Sequence, residues 1–219
     1  MTSAADTLTV NPPVVPAPAA LIEALRAVAT PHLSDNLDRL SGIVGLRPFH
    51  AGRPFVGTAV TVKTRPGDNL AIYRALKDML PGHVLVVDGG SEPNNALIGE
   101  LILQYAQQRG CVGFVIDGAI RDSEAFREAD FPCWARAVSH RGPYKNGPGR
   151  INVPVAVGGQ VVIPGDIVVG DADGLVSFPQ AEAKCLLAAA ARTAAREDAI
   201  RAEIANGQAQ QSWLSAVGL

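Results

Sequence analysis

Hydrophobic and polar positions along the chain follow spacings that predict a series of helices and strands. Residues 19–29, AALIEALRAVA, have apolar positions at helical spacing and stop before a Thr-Pro pair. Residues 55–63, FVGTAVTVK, alternate and are rich in β-branched side chains, so they predict a strand. Residues 67–82 predict a helix, because Asp68 lies near its start and a Pro-Gly pair follows its end.

The middle of the chain contains the same motif twice, a short apolar run that stops at Asp-Gly. The two runs are HVLVVDGG, residues 83–90, and CVGFVIDG, residues 111–118, and a predicted helix over residues 94–110 separates them. A short helix and a further strand over residues 131–138 follow. This order predicts βαβ units with parallel pairing. Ligands bind outside the carboxyl ends of such strands, so both Asp-Gly stretches are expected there.

The last third of the chain has a different character, dense in Val, Ile, Gly and Pro. Residues 151–179 predict several short strands joined by tight turns. The turns are predicted at Gly158-Gly159, Pro164-Gly165 and Asp173-Gly174. Residues 180–207 predict a long C-terminal helix, whose alanine-rich stripe suits packing on a neighbouring subunit. We therefore predict one α/β domain over residues 19–219, preceded by a proline-rich flexible arm, residues 1–18.

Composition narrows the class of protein. The 219 residues are 47% hydrophobic, enough for a sizeable core. The net charge is −2, and basic and acidic residues are interspersed along the chain. Without a basic stripe or many aromatic residues, we expect no nucleic-acid partner. The apolar runs are too short to span a bilayer and the N-terminus does not resemble a signal peptide, so we expect a cytoplasmic protein with no membrane partner. Three cysteines fit no motif and are expected to be reduced thiols in or near the core: Cys111, Cys133 and Cys185.

Candidate chemistry lies where the second apolar run ends, in DGAIRD. Arg121 supplies a planar fork suited to a carboxylate, and Asp122 supplies a hard oxygen suited to Mg²⁺ or Mn²⁺. If residues 99–102 begin a helix at the same crevice, their backbone amides form a nest for anionic oxygens, with Glu100 beside them as a candidate base. Adjacent Arg-Asp pairs are more often surface pairs, so the residues alone leave both interpretations open.

The remaining polar residues are assigned structural roles. The histidines have no metal-site spacing and are predicted at surface or capping positions: His32, His50, His83 and His140. Asp88 and Asp117 are predicted to form turns, with a site-lining role as the alternative. Ser34 or Asp35 is predicted to cap a helix N-terminus, although Asp35 facing a site across an interface is possible. The glycine-rich residues 142–149 are predicted to form a flexible flap beside the substrate.

Several segments together resemble one family over about residues 30–205. They are VLVVDGG, NALIGELI, RGCVGFVIDGAIRD, GPYKNGPGRINVPV and VIPGDIVVGDADGLV. The chain resembles the class II pyruvate aldolases of the 4-hydroxy-4-methyl-2-oxoglutarate type, which share their fold with the regulator of ribonuclease E activity A. The resemblance implies a layered β/β/α fold, trimers or hexamers, and metal-dependent cleavage of a 4-hydroxy-2-oxo acid to pyruvate and a second carbonyl compound. Oxaloacetate decarboxylation is the implied side activity.

The resemblance also implies roles for individual residues. Arg121 would hold the pyruvyl oxygens and stabilise an enolate, and Asp122 would bind Mg²⁺ or Mn²⁺ directly or through waters. The amides expected to bind pyruvate oxygens are those of Gly99, Glu100, Leu101 and Ile102. Lys145 is expected to bind substrate, and Glu197 is expected to join the metal site from an adjacent chain. The alternative is a non-catalytic regulator of a ribonuclease that acts by binding protein, although the intact Arg-Asp pair favours the catalyst.

Overall fold

The structure is a computed structural model and describes residues 7–218. Its strands are β1 (Leu8–Val10), β2 (Arg47–Pro48), β3 (Phe55–Thr64), β4 (His83–Ile98), β5 (Gly113–Ile120), β6 (Cys133–Val138), β7 (Gly149–Ile151), β8 (Val155–Val157), β9 (Gln160–Val162), β10 (Ile167–Asp171) and β11 (Gly174–Phe178). Its helices are α1 (Ala19–Arg26), α2 (Thr30–Asp35), α3 (Leu70–Lys77), α4 (Glu100–Gln108), α5 (Ser123–Glu128), α6 (Ala183–Ala205) and α7 (Ser212–Ser215), with a 3₁₀ turn at Gln180–Glu182.

Four parallel neighbours, β3, β4, β5 and β6, form the centre of the main sheet. Each is connected to the next through a helix, α3, α4 and then α5, which confirms the predicted βαβ units. Strands β7 and β10 pair antiparallel with different stretches of β3, and β11 pairs with β10. Because the parallel strands run the same way, their carboxyl ends meet at one edge of the sheet.

Three hydrophobic clusters give the molecule its layers. One face of the sheet packs against α3, α4 and α5. The opposite face is covered by the β8–β9 hairpin. A third cluster joins α1, α2 and α6 to the β10–β11 ribbon. This arrangement confirms the layered β/β/α prediction, including the Gly/Pro-rich β region and the long C-terminal helix. No helix in residues 7–218 combines the length and the apolar composition that crossing a membrane requires.

Strand β4 is longer than predicted, and the helix after it is shorter. The strand continues through the Asp-Gly-Gly sequence to Ile98, so α4 begins at Glu100 rather than at residue 94. Its pairing with β5 shifts register three times after Asp88, and the amide of Ala96 donates to Arg141 O. These non-local contacts hold an irregular strand that local patterning cannot distinguish from a loop and helix start.

The segment after α1 also differs from prediction. Helix α2 covers Thr30–Asp35, so Asp35 lies at its end and does not cap its start. Pro31 lies in the first turn, where a missing amide hydrogen is tolerated, so the Thr-Pro pair begins this helix, whereas α1 already ends at Arg26. The carboxylate of Asp35 instead pairs with Arg39, 2.9 Å away.

The described part of the N-terminal arm lies against the domain. Strand β1 pairs parallel with β7, and the amide of Ala17 donates to Thr58 Oγ1 at 2.9 Å. Residues 1–6, which belong to the predicted flexible arm, lie outside the described residues. Cys111 and Cys133 are buried, as expected, and burial raises the pKa of Cys111 to about 12, whereas Cys185 is exposed.

Asp117 joins the sheet to the β8–β9 hairpin. It lies within β5, so the prediction that it forms a turn is wrong, although Asp88 does accept a turn-type bond from Gly90 N. The Asp117 carboxylate is buried and accepts hydrogen bonds from Arg136 Nε at 2.5 Å and from Gly158 N at 3.0 Å. Burial alone would raise the pKa of Asp117, but Arg136, Gly158 and Ser91 together lower it.

Replacing Asp117 by asparagine is expected to lower the free energy of unfolding by about 2 kcal/mol, because Arg136 and Gly158 lose a charged acceptor. Because folding lowers this pKa, the stabilisation is present above the unfolded carboxyl value of about 4 and is lost as pH falls through the folded value. Urea unfolding at a series of pH values should therefore give a difference in the free energy of unfolding between wild type and Asp117→Asn. This difference should be constant down to about pH 5 and become smaller below about pH 4. Asp78→Asn, which breaks an exposed pair with Arg74, is the matched control and should change stability by less than about 1 kcal/mol. Equal stability of Asp117→Asn and wild type at pH 7 would contradict the role of this carboxylate.

Candidate active site

A cleft of about 130 Å³ opens at the carboxyl ends of the four parallel strands. The connection after each strand contributes to its wall. The lining residues are Asn69, Tyr73, Leu97, Ile98, Gly99, Leu101, Ile102, Arg121, Gly142, Pro143 and Lys145. The structure therefore brings three predicted features to one place: the start of α4, the arginine that follows β5, and the glycine-rich loop.

Gly99 forms the junction between β4 and α4. Its backbone is extended, and an added Cβ would collide with the Asp122 carboxylate and the Arg121 side chain. Only a residue without a side chain lets the two strand-to-helix connections approach this closely. The glycine is therefore required by the packing of the site and not by an unusual φ angle.

Asp122 holds the two connections together. Its Oδ2 accepts a hydrogen bond from the Glu100 amide at 3.0 Å and lies 3.5 Å from Arg121 Nε. Its backbone is left-handed, with φ of 53°, a conformation uncommon outside glycine that aspartate tolerates best and that often marks functional sites. Both side chains remain partly exposed, 43% for Arg121 and 42% for Asp122, so a ligand can reach them.

The first turn of α4 offers two of the four predicted amides. The Glu100 amide is bonded to Asp122, and the Ile102 amide is bonded to Gly99 O at 3.1 Å. Within residues 7–218, the amides of Gly99 and Leu101 donate to no acceptor. These two groups lie at the positive end of the helix dipole, where an anionic oxygen is favoured.

The three other predicted site residues differ in their position relative to the cleft: Glu100, Lys145 and Glu197. Glu100 is exposed beside the cleft, and its Oε1 accepts a bond from Gln104 at 3.0 Å. Lys145 lines the cleft, with its Nζ 5.9 Å from the centre of the Tyr73 ring. Glu197 lies on α6 and does not line this cleft within one chain.

Glu197 forms its own cluster on α6. Its carboxylate lies 3.1 Å from His32 Nε2 and 2.8 Å from Arg201, and the bond to His32 is the main reason that the pKa of Glu197 is lowered. Its predicted approach to the metal site of an adjacent chain stays a prediction. His32 is half-buried against α6 and lies in the last turn of α2.

The glycine-rich loop is anchored at its far end by Asp68. This carboxylate is fully buried and accepts hydrogen bonds from Asn146 N at 2.7 Å and Gly147 N at 3.0 Å. The amides of Asn69 and Tyr144 also tie the loop to the start of α3. The predicted position beside the cleft is confirmed, while the predicted flexibility stays a prediction.

Sequence reasoning missed Asn69 and Tyr73. Asp68 lies near the start of α3 as expected, and its Oδ1 accepts a hydrogen bond from Leu70 N at 3.0 Å. Asn69 occupies the N-cap position, but its side chain makes no capping hydrogen bond, and the residue lines the cleft. The available signal was its place directly after the first parallel strand, where ligand-facing residues concentrate.

The donor set suits a divalent ion such as Mg²⁺ or Mn²⁺. Within residues 7–218 no group of three or more metal-ligating side chains converges. Mg²⁺ commonly uses one or two carboxylates and keeps its waters, and Asp122 supplies one such carboxylate close to Arg121. Asp122 Oδ1 has no hydrogen-bond partner in the described chain, so it retains its full capacity as a ligand.

Comparison with known proteins identifies the family. The family model described as RraA-like, Aldolase/RraA, matches residues 30–177, which is more than half of the chain. The chain belongs to the RraA-like family. Its β3-to-β6 core and its β10–β11 ribbon fall within the matched residues.

Proteins similar to this chain carry two kinds of name, one of an aldolase and one of an inhibitor of RNA processing. A Halalkalibacterium halodurans protein named "Putative 4-hydroxy-4-methyl-2-oxoglutarate aldolase" is 37% identical over 179 residues, covering 81% of this chain and 85% of that protein. The structure of Streptomyces coelicolor RraAS2, described as an unusual member of the RNase ES inhibitor RraA protein family, has a TM-score of 0.79. It is 28% identical and covers 86% of this chain and 99% of its own. The RNA-processing inhibitor RraA from "Thermus thermophilis" has a TM-score of 0.64 and is 32% identical, covering 69% of this chain and 92% of its own.

Proposed function

We propose that this RraA-like protein is a divalent-metal-dependent carbon–carbon lyase. It would cleave a 4-hydroxy-2-oxo acid to pyruvate and a second carbonyl compound. The observation that carries the proposal is the junction at Gly99, which brings Arg121 and two unengaged amides to one cleft and places the Asp122 carboxylate 3.5 Å from Arg121 Nε. The aldolase name of its Halalkalibacterium halodurans relative supports the same reaction class.

The residues of the cleft divide the chemistry among them. Arg121 would pair its planar fork with the oxygens of the 2-oxo acid, and the Gly99 and Leu101 amides would bind the same end of the substrate. Asp122, joined by Glu197 from an adjacent chain, would hold Mg²⁺ or Mn²⁺ directly or through waters, and the ion when bound would supply Lewis-acid polarisation of the keto group. As the C3–C4 bond breaks, its electron pair forms the enolate of pyruvate, and Arg121 would stabilise the developing oxyanion.

Two proton movements complete the reaction. Glu100, exposed at the mouth of the cleft, would take the C4 hydroxyl proton directly or through one water. That proton loss turns C4 into the carbonyl of the second product, and protonation at C3 of the enolate gives pyruvate. Oxaloacetate yields the same enolate when it loses carbon dioxide, so decarboxylation is proposed as a side activity. Assembly into trimers or hexamers, with Glu197 approaching from a neighbour, is part of the same proposal.

Chelation provides the direct test. After treatment with a chelator, the protein is expected to lose pyruvate release from 4-hydroxy-4-methyl-2-oxoglutarate and from oxaloacetate, and to regain it on addition of Mg²⁺ or Mn²⁺. Pyruvate is followed with lactate dehydrogenase, and the coupling system is checked separately with added pyruvate in chelator. A full rate in chelator would contradict the metal dependence.

A non-catalytic regulator is the second candidate. It is favoured by the likeness to structures described as RNase ES inhibitor family and RNA-processing inhibitor proteins. No pyruvate release from any branched or sugar-derived 2-oxo acid, together with inhibition of a ribonuclease by the purified protein, would favour the regulator over the lyase.

A further inference from the structure

Asn69 presents an unused acceptor at the wall of the cleft. The residue is 2% exposed, and its Nδ2 donates to Leu97 O at 2.9 Å. Its Oδ1 has no hydrogen-bond partner within the described chain. Because the carbonyl of Leu97 requires a donor, the amide orientation is fixed, and Oδ1 is the group left without a partner. A buried acceptor in this state costs free energy until a donor reaches it.

Four other polar groups of the cleft have the opposite character. The Arg121 guanidinium, the Lys145 ammonium and the Gly99 and Leu101 amides are all donors. They suit the carboxylate and keto oxygens of a 2-oxo acid, which can only accept. Asn69 Oδ1 therefore has no counterpart on that end of a ligand. A hydroxyl further along the ligand supplies the missing donor.

We infer that Asn69 Oδ1 recognises a hydroxyl beyond C4 of the substrate and selects for 2-oxo acids that carry one. This inference rests on the proposed function. Three features support it: the residue lines the cleft, its side chain makes no capping hydrogen bond although it occupies the N-cap position of α3, and its bond to Leu97 locks its orientation. A buried polar group built to bond a substrate hydroxyl rejects analogues that lack one, because it is then left unpaired.

Two substrates that release pyruvate from one enolate test the inference. In Asn69→Ala, kcat/KM for cleavage of 4,5-dihydroxy-2-oxopentanoate is expected to fall about tenfold to a hundredfold. 4-Hydroxy-2-oxopentanoate has no hydroxyl at C5, so its cleavage should fall less than about threefold. Asn69→Ser serves as a second variant if the alanine variant does not fold. Equal losses with both substrates would mean that Asn69 only supports the fold, and would overturn the inference.

Asn95→Ala is the matched control. It also removes an Asn-to-carbonyl bond at this edge of the molecule, from Asn95 Nδ2 to Gly142 O at 2.8 Å, but Asn95 is only half-buried and does not line the cleft. The ratio of the two activities is expected to stay at the wild-type value. A change in that ratio as large as that of Asn69→Ala would overturn the inference.

A binding experiment separates this inference from the proposed function. If wild type releases pyruvate from neither substrate, the lyase proposal has failed, and calorimetry with 4,5-dihydroxy-2-oxopentanoate and 4-hydroxy-2-oxopentanoate then decides the role of Asn69. These two ligands differ only by the C5 hydroxyl. Wild type should bind the dihydroxylated one about tenfold more tightly, and Asn69→Ala should bind both alike. Equal affinity of wild type for the pair, or no measurable binding of either, would overturn the inference.

Discussion

Replacing Arg121 by lysine is expected to lower kcat/KM for pyruvate formation by about 100-fold or more. The guanidinium can contact two substrate oxygens at once and keeps its charge throughout, whereas an ammonium on a flexible stem acts as a single point charge. The site makes this difference large, because the Arg121 side chain is held against Gly99 and close to Asp122. Steady-state kinetics with metal in excess measures the effect.

Two checks make the Arg121→Lys result specific. Arg127→Lys is the matched control, since Arg127 is exposed on the far end of α5, and full activity is expected. Unfolding by urea should give nearly the same midpoint for both variants and wild type, because Arg121 is partly exposed and not a core residue. A fully active Arg121→Lys enzyme would show that a single positive charge suffices and that the fork has no role.

Replacing Asp122 by asparagine is expected to reduce metal-dependent turnover about 100-fold or more while the protein stays folded. Asparagine can still accept the hydrogen bond from the Glu100 amide, so the junction at Gly99 is preserved. It lacks the negative charge that a hard divalent ion requires of its few protein ligands. The loss should therefore appear in metal binding before it appears in stability.

Calorimetric titration with Mn²⁺ gives a readout that is independent of turnover. In Asp122→Asn, the Kd for Mn²⁺ is expected to rise about tenfold or more. Glu124→Gln removes a carboxylate from the exposed first turn of α5 and is the control, with unchanged Mn²⁺ affinity expected. Unchanged affinity in Asp122→Asn would assign the ion to other ligands. Turnover that stays at the wild-type rate would have the same meaning.

The parallel core could be predicted from the sequence because its signals are local. Short apolar runs, Gly110 and the turn glycines mark strands and helices without reference to the rest of the chain. Arg121 and Asp122 could be located in advance because a parallel strand delivers whatever follows it to the carboxyl edge of the sheet. The same topological argument placed residues 99–102 at the cleft.

Other features depend on contacts between distant segments and could not be read locally. Strand β4 continues past Asp88 only because β5 and Arg141 provide hydrogen-bond partners for it. Asp117 looked like a turn residue because its partners, Arg136 and Gly158, lie 19 and 41 positions away in the chain. The role of Asn69 was hidden for a related reason, since its neighbour Asp68 already satisfied the helix-start pattern.

The walls of the cleft come from separate crossover connections, and this separation bears on how new specificities arise. The ends of β4 and β5 are locked to each other through Gly99 and Asp122, so neither tolerates insertion or a bulkier residue without loss of both. The start of α3 forms a different wall, joined to them chiefly by the bond between Asn69 and Leu97. Substitutions at the start of α3 are therefore expected to change which ligands fit the cleft while leaving the junction between Gly99 and Asp122 intact.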